Sequence, residues 1–150
     1  MENVLVTGGA GFIGSHMVDL LISRNFKVRV LDNLVAGKVE NLKQHSNNPQ
    51  LYLDKRDIRN VNYNDKIFKD VKFIYHFAGI GDIVPSIDFP KEYMSVNVQG
   101  TVNICEGARH NGIKKLVYAA SSSCYGISNT PTDEEAAINP QYPYALSKYQ

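Results

Sequence analysis

Two short stretches of this chain combine residue types that could do chemistry. The first, Thr7-Gly8-Gly9-Ala10-Gly11-Phe12-Ile13-Gly14, stands where an apolar run, Val4 to Val6, gives way to a helical pattern. A glycine turn opening a helix presents unpaired backbone N–H groups and the positive end of the helix dipole, which together bind a pyrophosphate. Two glycine frames fit, Gly9/Gly11/Gly14 and Gly8/Gly11/Gly14. In both, Gly11 lets the backbone approach the phosphates and Gly14 lets the helix pack closely on the strand. Glycines also serve purely steric turns, so a second signal is needed. Asp32 supplies it by closing the next strand, where a carboxylate accepts hydrogen bonds from ribose hydroxyls and repels a 2′-phosphate. Arg29 lies inside that strand and not beyond it, so no cation awaits a 2′-phosphate, and the expected dinucleotide is NAD.

The second stretch, Pro143-Tyr144-Ala145-Leu146-Ser147-Lys148, sets Tyr144 and Lys148 four residues apart, on one face of a helix. A nearby ammonium and an oxidised nicotinamide ring favour the phenolate, so Tyr144 could take a proton from a substrate hydroxyl while the same carbon gives up a hydride. A tyrosine and a lysine at this spacing are common on solvated helices, and it is the glycine turn upstream that gives the pair its meaning. Ser121 follows the fifth apolar run, at the end of a parallel sheet where such folds place ligands, and could hydrogen-bond the reacting oxygen. The alternative is that Ser121 to Ser123 cap a loop.

The elements that must position these residues alternate between strand and helix. Val4–Val6, Lys27–Leu31, Gln50–Asp54, Val71–Phe77 and Lys115–Ala120 read as strands. Between them, a helix after Gly11 carries an apolar stripe of Ile13, Met17, Leu20 and Leu21, short helices are expected within 35–49 and 63–69, and a long one runs from Pro90 to about Asn111. This order predicts an α/β fold, a doubly wound parallel sheet covered on both faces. A Pro-, Asn- and acid-rich loop spans 126–143 before the helix at Tyr144, which has barely two turns before Gln150. So short a helix packs poorly alone, and residues 1–150 are expected to be one NAD-binding domain, the N-terminal part of a longer enzyme whose substrate-binding region is absent from this chain.

Bulk properties exclude several classes of function. With 150 residues and 43% hydrophobic content the chain can bury a core without metals or disulfides. A formal net charge of +1 gathers no nucleic acid or anionic membrane, and no window approaches a membrane span. Cys105 and Cys124 show no metal-ligand spacing and sit in segments resembling a buried helix and a buried strand, so they are expected to be reduced core residues of a cytoplasmic protein.

Together the motifs resemble the extended short-chain dehydrogenase/reductase family, in particular its NAD-dependent epimerase/dehydratase branch, over the whole chain. Thr7 to Gly14 is similar to that branch's TGGAGFIG turn, Leu31-Asp32-Asn33-Leu34 to its second strand end, and Asp57-Ile58-Arg59 to the segment that holds adenine. His76-Phe77-Ala78-Gly79 resembles its fourth strand, Ser95 to Thr101 its Asn-containing helix, and Ser121 to Gly126 with Tyr144 to Lys148 its catalytic segments. The resemblance implies a Rossmann fold with Ser121 and Tyr144 catalytic and Lys148 on the nicotinamide ribose. It also implies that Gly8, Gly11, Phe12, Ile13, Gly14, Asp32, Asn33, Asp57, Ile58, Phe77, Ala78 and Asn97 lie along the cofactor, with Ser121 and Ser122 toward the substrate.

Within the branch, dehydratases resemble Thr-Asp-Glu where this chain has Ser121-Ser122-Ser123, and decarboxylases of nucleotide-linked glucuronic acid carry a glutamate at the place of Ser123. Cys124 precedes Tyr125 by one residue, whereas the acid-base cysteine of the 3,5-epimerase/reductases precedes the tyrosine by two. The resemblance therefore implies a nucleotide-sugar epimerase, a UDP-hexose 4-epimerase acting through a transient 4-keto sugar, homodimeric when full length. The alternatives are a dehydratase, decarboxylase or oxidoreductase of the branch, or a non-catalytic NAD-binding module or inactive fragment. Ile80-Gly81-Asp82 departs from the branch's Ala-rich continuation, which leaves the substrate-side loop open.

Overall fold

The computed structural model describes residues 1–150, which form two compact units: Met1–Ala78 with Gly100–Tyr118, and Gly79–Gln99 with Ala119–Gln150. The first unit holds a five-stranded parallel sheet in the order β3-β2-β1-β4-β5. Its strands are β1 (Asn3–Thr7), β2 (Lys27–Leu31), β3 (Leu51–Asp54), β4 (Val71–His76) and β5 (Lys115–Tyr118). The expected parallel α/β fold is present, and β1 is central because its residues are apolar on both faces.

Alternation along β1 assigns the faces. Val4 and Val6 pair with Val28 and Val30 and pack with Val18 and Leu21 of helix α1 (Phe12–Ser23) and with Leu42. The helix turns Gly14, Ser15, Val18 and Leu21 inward, while Ile13 and Leu20 are exposed, so the expected stripe is displaced by one residue. The reason is packing: the narrow face with Gly14 is the one that can approach the strand. Leu5 and Thr7 lie on the other face, where Leu5 pairs with Ile74 and Thr7 with His76. There the His76 ring joins Thr7 Oγ1 to Thr101 Oγ1 of the helix Thr101–His110, and Ile74, Phe68 and Ile104 are fully buried.

Several local expectations change. The helices expected within 35–49 and 63–69 are 3₁₀ turns, Val39–His45 and Lys66–Phe68. The latter is capped by Asp65 and anchored by Arg29, whose Nη1 donates to the carbonyls of Lys66, Ile67 and Lys69, so Arg29 is a structural residue of this unit. Cys105 is exposed and Cys124 half-buried in a 3₁₀ turn, so neither is the buried core residue expected; Ile104, its neighbour, takes the inward position.

The second unit carries α2 (Val84–Asp88), which the sequence pattern did not signal, α3 (Pro90–Tyr93) and a π turn over Met94–Gly100. The segment expected as one helix from Pro90 to Asn111 is thus α3, the π turn and α4 (Thr101–His110). After a 3₁₀ turn, Ser122–Tyr125, the exposed loop closes by a hydrogen bond from Asn139 N–H to Cys124 O at 2.8 Å. Helix α5 (Pro143–Tyr149) ends the described fold and packs on α2 and α3.

Gly107 of α4 meets Phe68 face on: a Cβ there would stand 2.2 Å from the ring. Alanine ordinarily gains about 1 kcal/mol over glycine in a helix, but overpacking of a filled core costs about 1–3 kcal/mol, so the clash wins. Gly107→Ala should therefore lower the midpoint of chemical denaturation, and adding Phe68→Leu should recover part of the loss; a stabilising Gly107→Ala would contradict the packing.

Candidate functional site

The phosphate turn belongs to the first unit. Gly8 has φ +66°, a left-handed conformation that favours glycine, and a Cβ there would lie 2.7 Å from the Ala78 nitrogen. At Gly14 a Cβ would lie 2.1 Å from the Gly8 carbonyl oxygen. Gly9, which serves neither contact, must also be small because a Cβ would reach Val30 at 2.8 Å. The chain therefore uses the Gly8/Gly11/Gly14 frame to fold the turn on itself and Gly9 to seat it on β2.

Helix α1 starts at Gly11 with no side-chain cap and no acid in its first turn, while Phe12 and Ile13 are exposed. A helix start left without a side-chain acceptor suits an external anion, and the turn fits the pyrophosphate of a dinucleotide.

Asp32 is buried, and its two oxygens accept from the backbone N–H groups of Ala10 (2.9 Å) and Leu34 (2.8 Å). The carboxylate thus ties the end of β2 to the phosphate turn. Each oxygen keeps acceptor capacity for a ribose hydroxyl. Gly37 leaves room for this arrangement, since a Cβ there would come within 2.8 Å of both Asp32 oxygens. Asn33 donates to Asp57 Oδ2 at 2.9 Å, joining the loop after β2 to the segment after β3. The Arg59 side chain is the largest influence on Asp57. With its own backbone N–H and the Asn33 amide it holds the Asp57 carboxyl down to about 2, against the opposing effect of desolvation. Ile58 is buried beneath, where it fills the space that a side chain at Gly100 would need. Phe77 and Ala78 lie at the end of β4, where Phe77 N–H donates to Thr7 O and Ala78 N–H to Thr7 Oγ1.

Ser121, Tyr144 and Lys148, expected from the sequence to handle the proton, belong to the second unit. Ser121 caps the 3₁₀ turn by accepting from Ser123 N–H, and the Tyr144 hydroxyl donates to Ser121 Oγ at 3.4 Å. The structure thus brings Ser121 and Tyr144 together, and Ser121 Oγ also caps the turn that follows it. Ser122 is exposed. Lys148 follows Tyr144 by one helical turn and is half-buried, and desolvation pushes its ammonium down to about 8.

Asn97, in the π turn, is 2% exposed. Its carbonyl oxygen accepts from Ile80 N–H at 2.8 Å, and its amide donates to Ile80 O (3.1 Å) and to Ser147 Oγ (2.9 Å). Asn97 thus clamps the loop after β4 to α5, with both its amide oxygen and its amide nitrogen engaged within the protein. Ser147 completes the clamp by donating to Tyr144 O at 2.8 Å. Sequence reasoning missed Ser147 and Tyr93, and it named Arg59 only within the adenine segment, without its pairing to Asp57. Serine at position 147 could have been noticed as a polar residue on the inward side of a short helix.

A family model described as the NAD dependent epimerase/dehydratase family matches residues 4–150. A Methanocaldococcus jannaschii protein provisionally named a UDP-glucose 4-epimerase is 45% identical over 149 residues, covering 97% of this chain and 47% of that protein. The solved UDP-N-acetylglucosamine 4-epimerase of Methanobrevibacter ruminantium M1, in complex with UDP-N-acetylmuramic acid, superposes with a TM-score of 0.93 at 38% identity, over 99% of this chain and 47% of that one. The dTDP-glucose 4,6-dehydratase DesIV of Streptomyces venezuelae, with NAD and TYD bound, has a TM-score of 0.91 at 34% identity, over 98% of this chain and 48% of that one. The chain therefore spans about half the length of these relatives. From the glycine turn to the lysine of α5, the chain belongs to the NAD-dependent epimerase/dehydratase family of extended short-chain dehydrogenases/reductases.

Proposed function

We propose that the whole protein is an NAD-dependent 4-epimerase of nucleotide sugars, with a UDP-hexose as substrate and a 4-keto sugar as transient product. The observation that carries this reading is the Tyr144 hydroxyl 3.4 Å from Ser121 Oγ, with the half-buried Lys148 one helical turn along. Bound NAD supplies a hydride acceptor that later returns the hydride. Tyr144 takes the proton from the sugar's 4-hydroxyl as C4 loses its hydride, and gives the proton back when the opposite face of the ketose is reduced. Ser121 donates a hydrogen bond to the same oxygen, and Lys148 keeps positive charge near the phenolate.

In the first unit the Gly8/Gly11/Gly14 turn binds the pyrophosphate, with the exposed Phe12 and Ile13 beside it. Asp32 receives ribose hydroxyls, and Asn33, Asp57 and Ile58 hold the adenine side. Phe77, Ala78 and Asn97 lie along the cofactor. Epimerisation is preferred to dehydration because elimination of water needs extra acids after β5, and Ser121-Ser122-Ser123 provides none. The same absence of a carboxylate at Ser123 argues against decarboxylation. The reading extends to residues 1–150 as the NAD-binding domain of a longer, homodimeric cytoplasmic enzyme that binds no nucleic acid. No helix is long and apolar enough to cross a membrane, and the two cysteines are free.

Two experiments on the full-length protein test these roles. Tyr144→Phe should lower turnover of UDP-glucose by roughly a thousandfold or more while NAD remains bound; undiminished epimerisation would remove Tyr144 from the mechanism. Lys148 gives a second prediction. Its folded-state value, about 8, lies below the ordinary 10.5, so its ionisation disfavours the fold below pH 8 and that cost fades as pH climbs between those values. Lys148→Met should lower kcat by roughly a hundredfold, and its thermal midpoint relative to wild type should fall as pH rises from 8 to 10.5. A relative midpoint that is flat across this range would contradict the assigned burial of the ammonium.

A further inference from the structure

Tyr93 is 2% exposed, and the proton-transfer chemistry above makes no use of it. Its hydroxyl donates to the Asp82 carbonyl oxygen at 2.5 Å, and its ring meets that of Tyr144 at 80° with centroids 6.4 Å apart. On another side of Tyr144 lies Tyr142, stacked at 6° with centroids 6.5 Å apart. The phenol of Tyr144 is therefore held at three places: by two neighbouring rings and by Ser121 at its hydroxyl. A tyrosine on a seven-residue helix has two side-chain torsions, and only contacts such as these fix them.

The Asp82 bond adds a coupling that a mere packing aromatic would lack. Asp82 belongs to Ile80-Gly81-Asp82, where the sequence departs from the family's Ala-rich pattern, and Gly81 has open space around its Cα. Asn97 grips Ile80 through both backbone groups, so this loop is secured at Ile80 by Asn97 and at Asp82 by Tyr93. Only the second of these anchors also touches the Tyr144 ring. Burial, followed by the proximity of Asp82 and Tyr144, raises the ionisation of Tyr93 above its ordinary range, so its hydroxyl keeps the proton that it donates.

We propose that Tyr93 is a positioning residue for Tyr144, which ties the orientation of the proton-transferring phenol to the loop Ile80–Asp82. This rests on the reading of Tyr144 as the proton-transfer group. A misplacement of about an ångström at a reacting group slows the chemical step steeply, while ground-state binding of the sugar is affected far less.

The test uses the full-length enzyme, with kcat expressed per bound NAD and with UDP-glucose deuterated at C4 of the glucose. Tyr93→Phe keeps the ring and removes only the bond to Asp82. It should lower kcat about tenfold, leave KM for UDP-glucose within about twofold and raise the deuterium isotope effect, because the chemical step becomes more limiting. If Tyr93→Phe fails to bind NAD, Tyr93→His, which keeps a ring and a donor, takes its place with the same expectation in weaker form. An isotope effect and a kcat per NAD equal to wild type would overturn the proposal, as would a fall in kcat with an unchanged isotope effect, the mark of a merely structural loss. The control is Tyr144→Phe. If that variant is inactive and Tyr93→Phe is indistinguishable from wild type, the positioning role alone fails; if Tyr144→Phe turns over normally, the proton-transfer reading fails with it.

Discussion

The carbonyl oxygen of Gly8 occupies the place that a side chain at position 14 would need, 2.1 Å from where its Cβ would stand. That single steric constraint fixes how the chain leaves β1 and enters α1. It demands glycine at position 14, while the backbone of position 8 lies in the left-handed region and stands against the Phe77–Ala78 peptide just after β4. The helix then starts with no side-chain acceptor for its first N–H groups. An arrangement that leaves donors unpaired at a helix start carries a cost in the isolated fold, and a bound anion offsets it. The turn is thereby shaped by contacts within the protein, while its donors are left for a ligand.

The polar residues around the site divide by what holds them. Asp32, Asn97 and Ser147 are buried and bonded to backbone or to one another, and no buried side-chain polar atom lacks a partner. Such networks resist rearrangement because each broken bond would leave a desolvated group behind, at about 1–3 kcal/mol. Lys148 is different. Burial lowers its ionisation to about 8, so its charge, unlike those bonded networks, depends on pH near the neutral range.

Much of this was legible in the sequence for a physical reason. The parallel sheet follows from apolar runs separated by helix-length patterns, and the glycine turn follows from a backbone geometry that few other residues tolerate. Tyr144 with Lys148 follows from helical spacing, and Ser121 from its place after a strand. What was not legible depends on contacts distant in sequence. The inward face of α1 is set by which side can approach β1, so Ile13 and Leu20 turned out exposed although they fit the apolar period. Asn97 carries its role through Ile80 and Ser147, and no local pattern pairs residues that far apart. Cys105 is outward because Ile104 beside it takes the core position. The 3₁₀ turns at Val39–His45 and Lys66–Phe68 have helix-like composition, and their tighter winding is not signalled by any local pattern.

The two ends of the chemistry are built on different electrostatic principles. On the side proposed for adenosine, Asp57 is paired with Arg59 and Asn33 and held at about 2, so it is ionised throughout the neutral range. A recognition group gains from this constancy, because its hydrogen-bonding character then never changes during a catalytic cycle. On the proton-transfer side, Lys148 has been brought by burial to about 8, within reach of ordinary working pH. A group near that range responds strongly to a neighbouring negative charge, so under the proposed mechanism negative charge developing on the reacting oxygen and the ammonium of Lys148 would stabilise one another. If the proposed epimerisation is the protein's reaction, its pH dependence should originate in α5 and its neighbours, while Asp57 contributes a constant background.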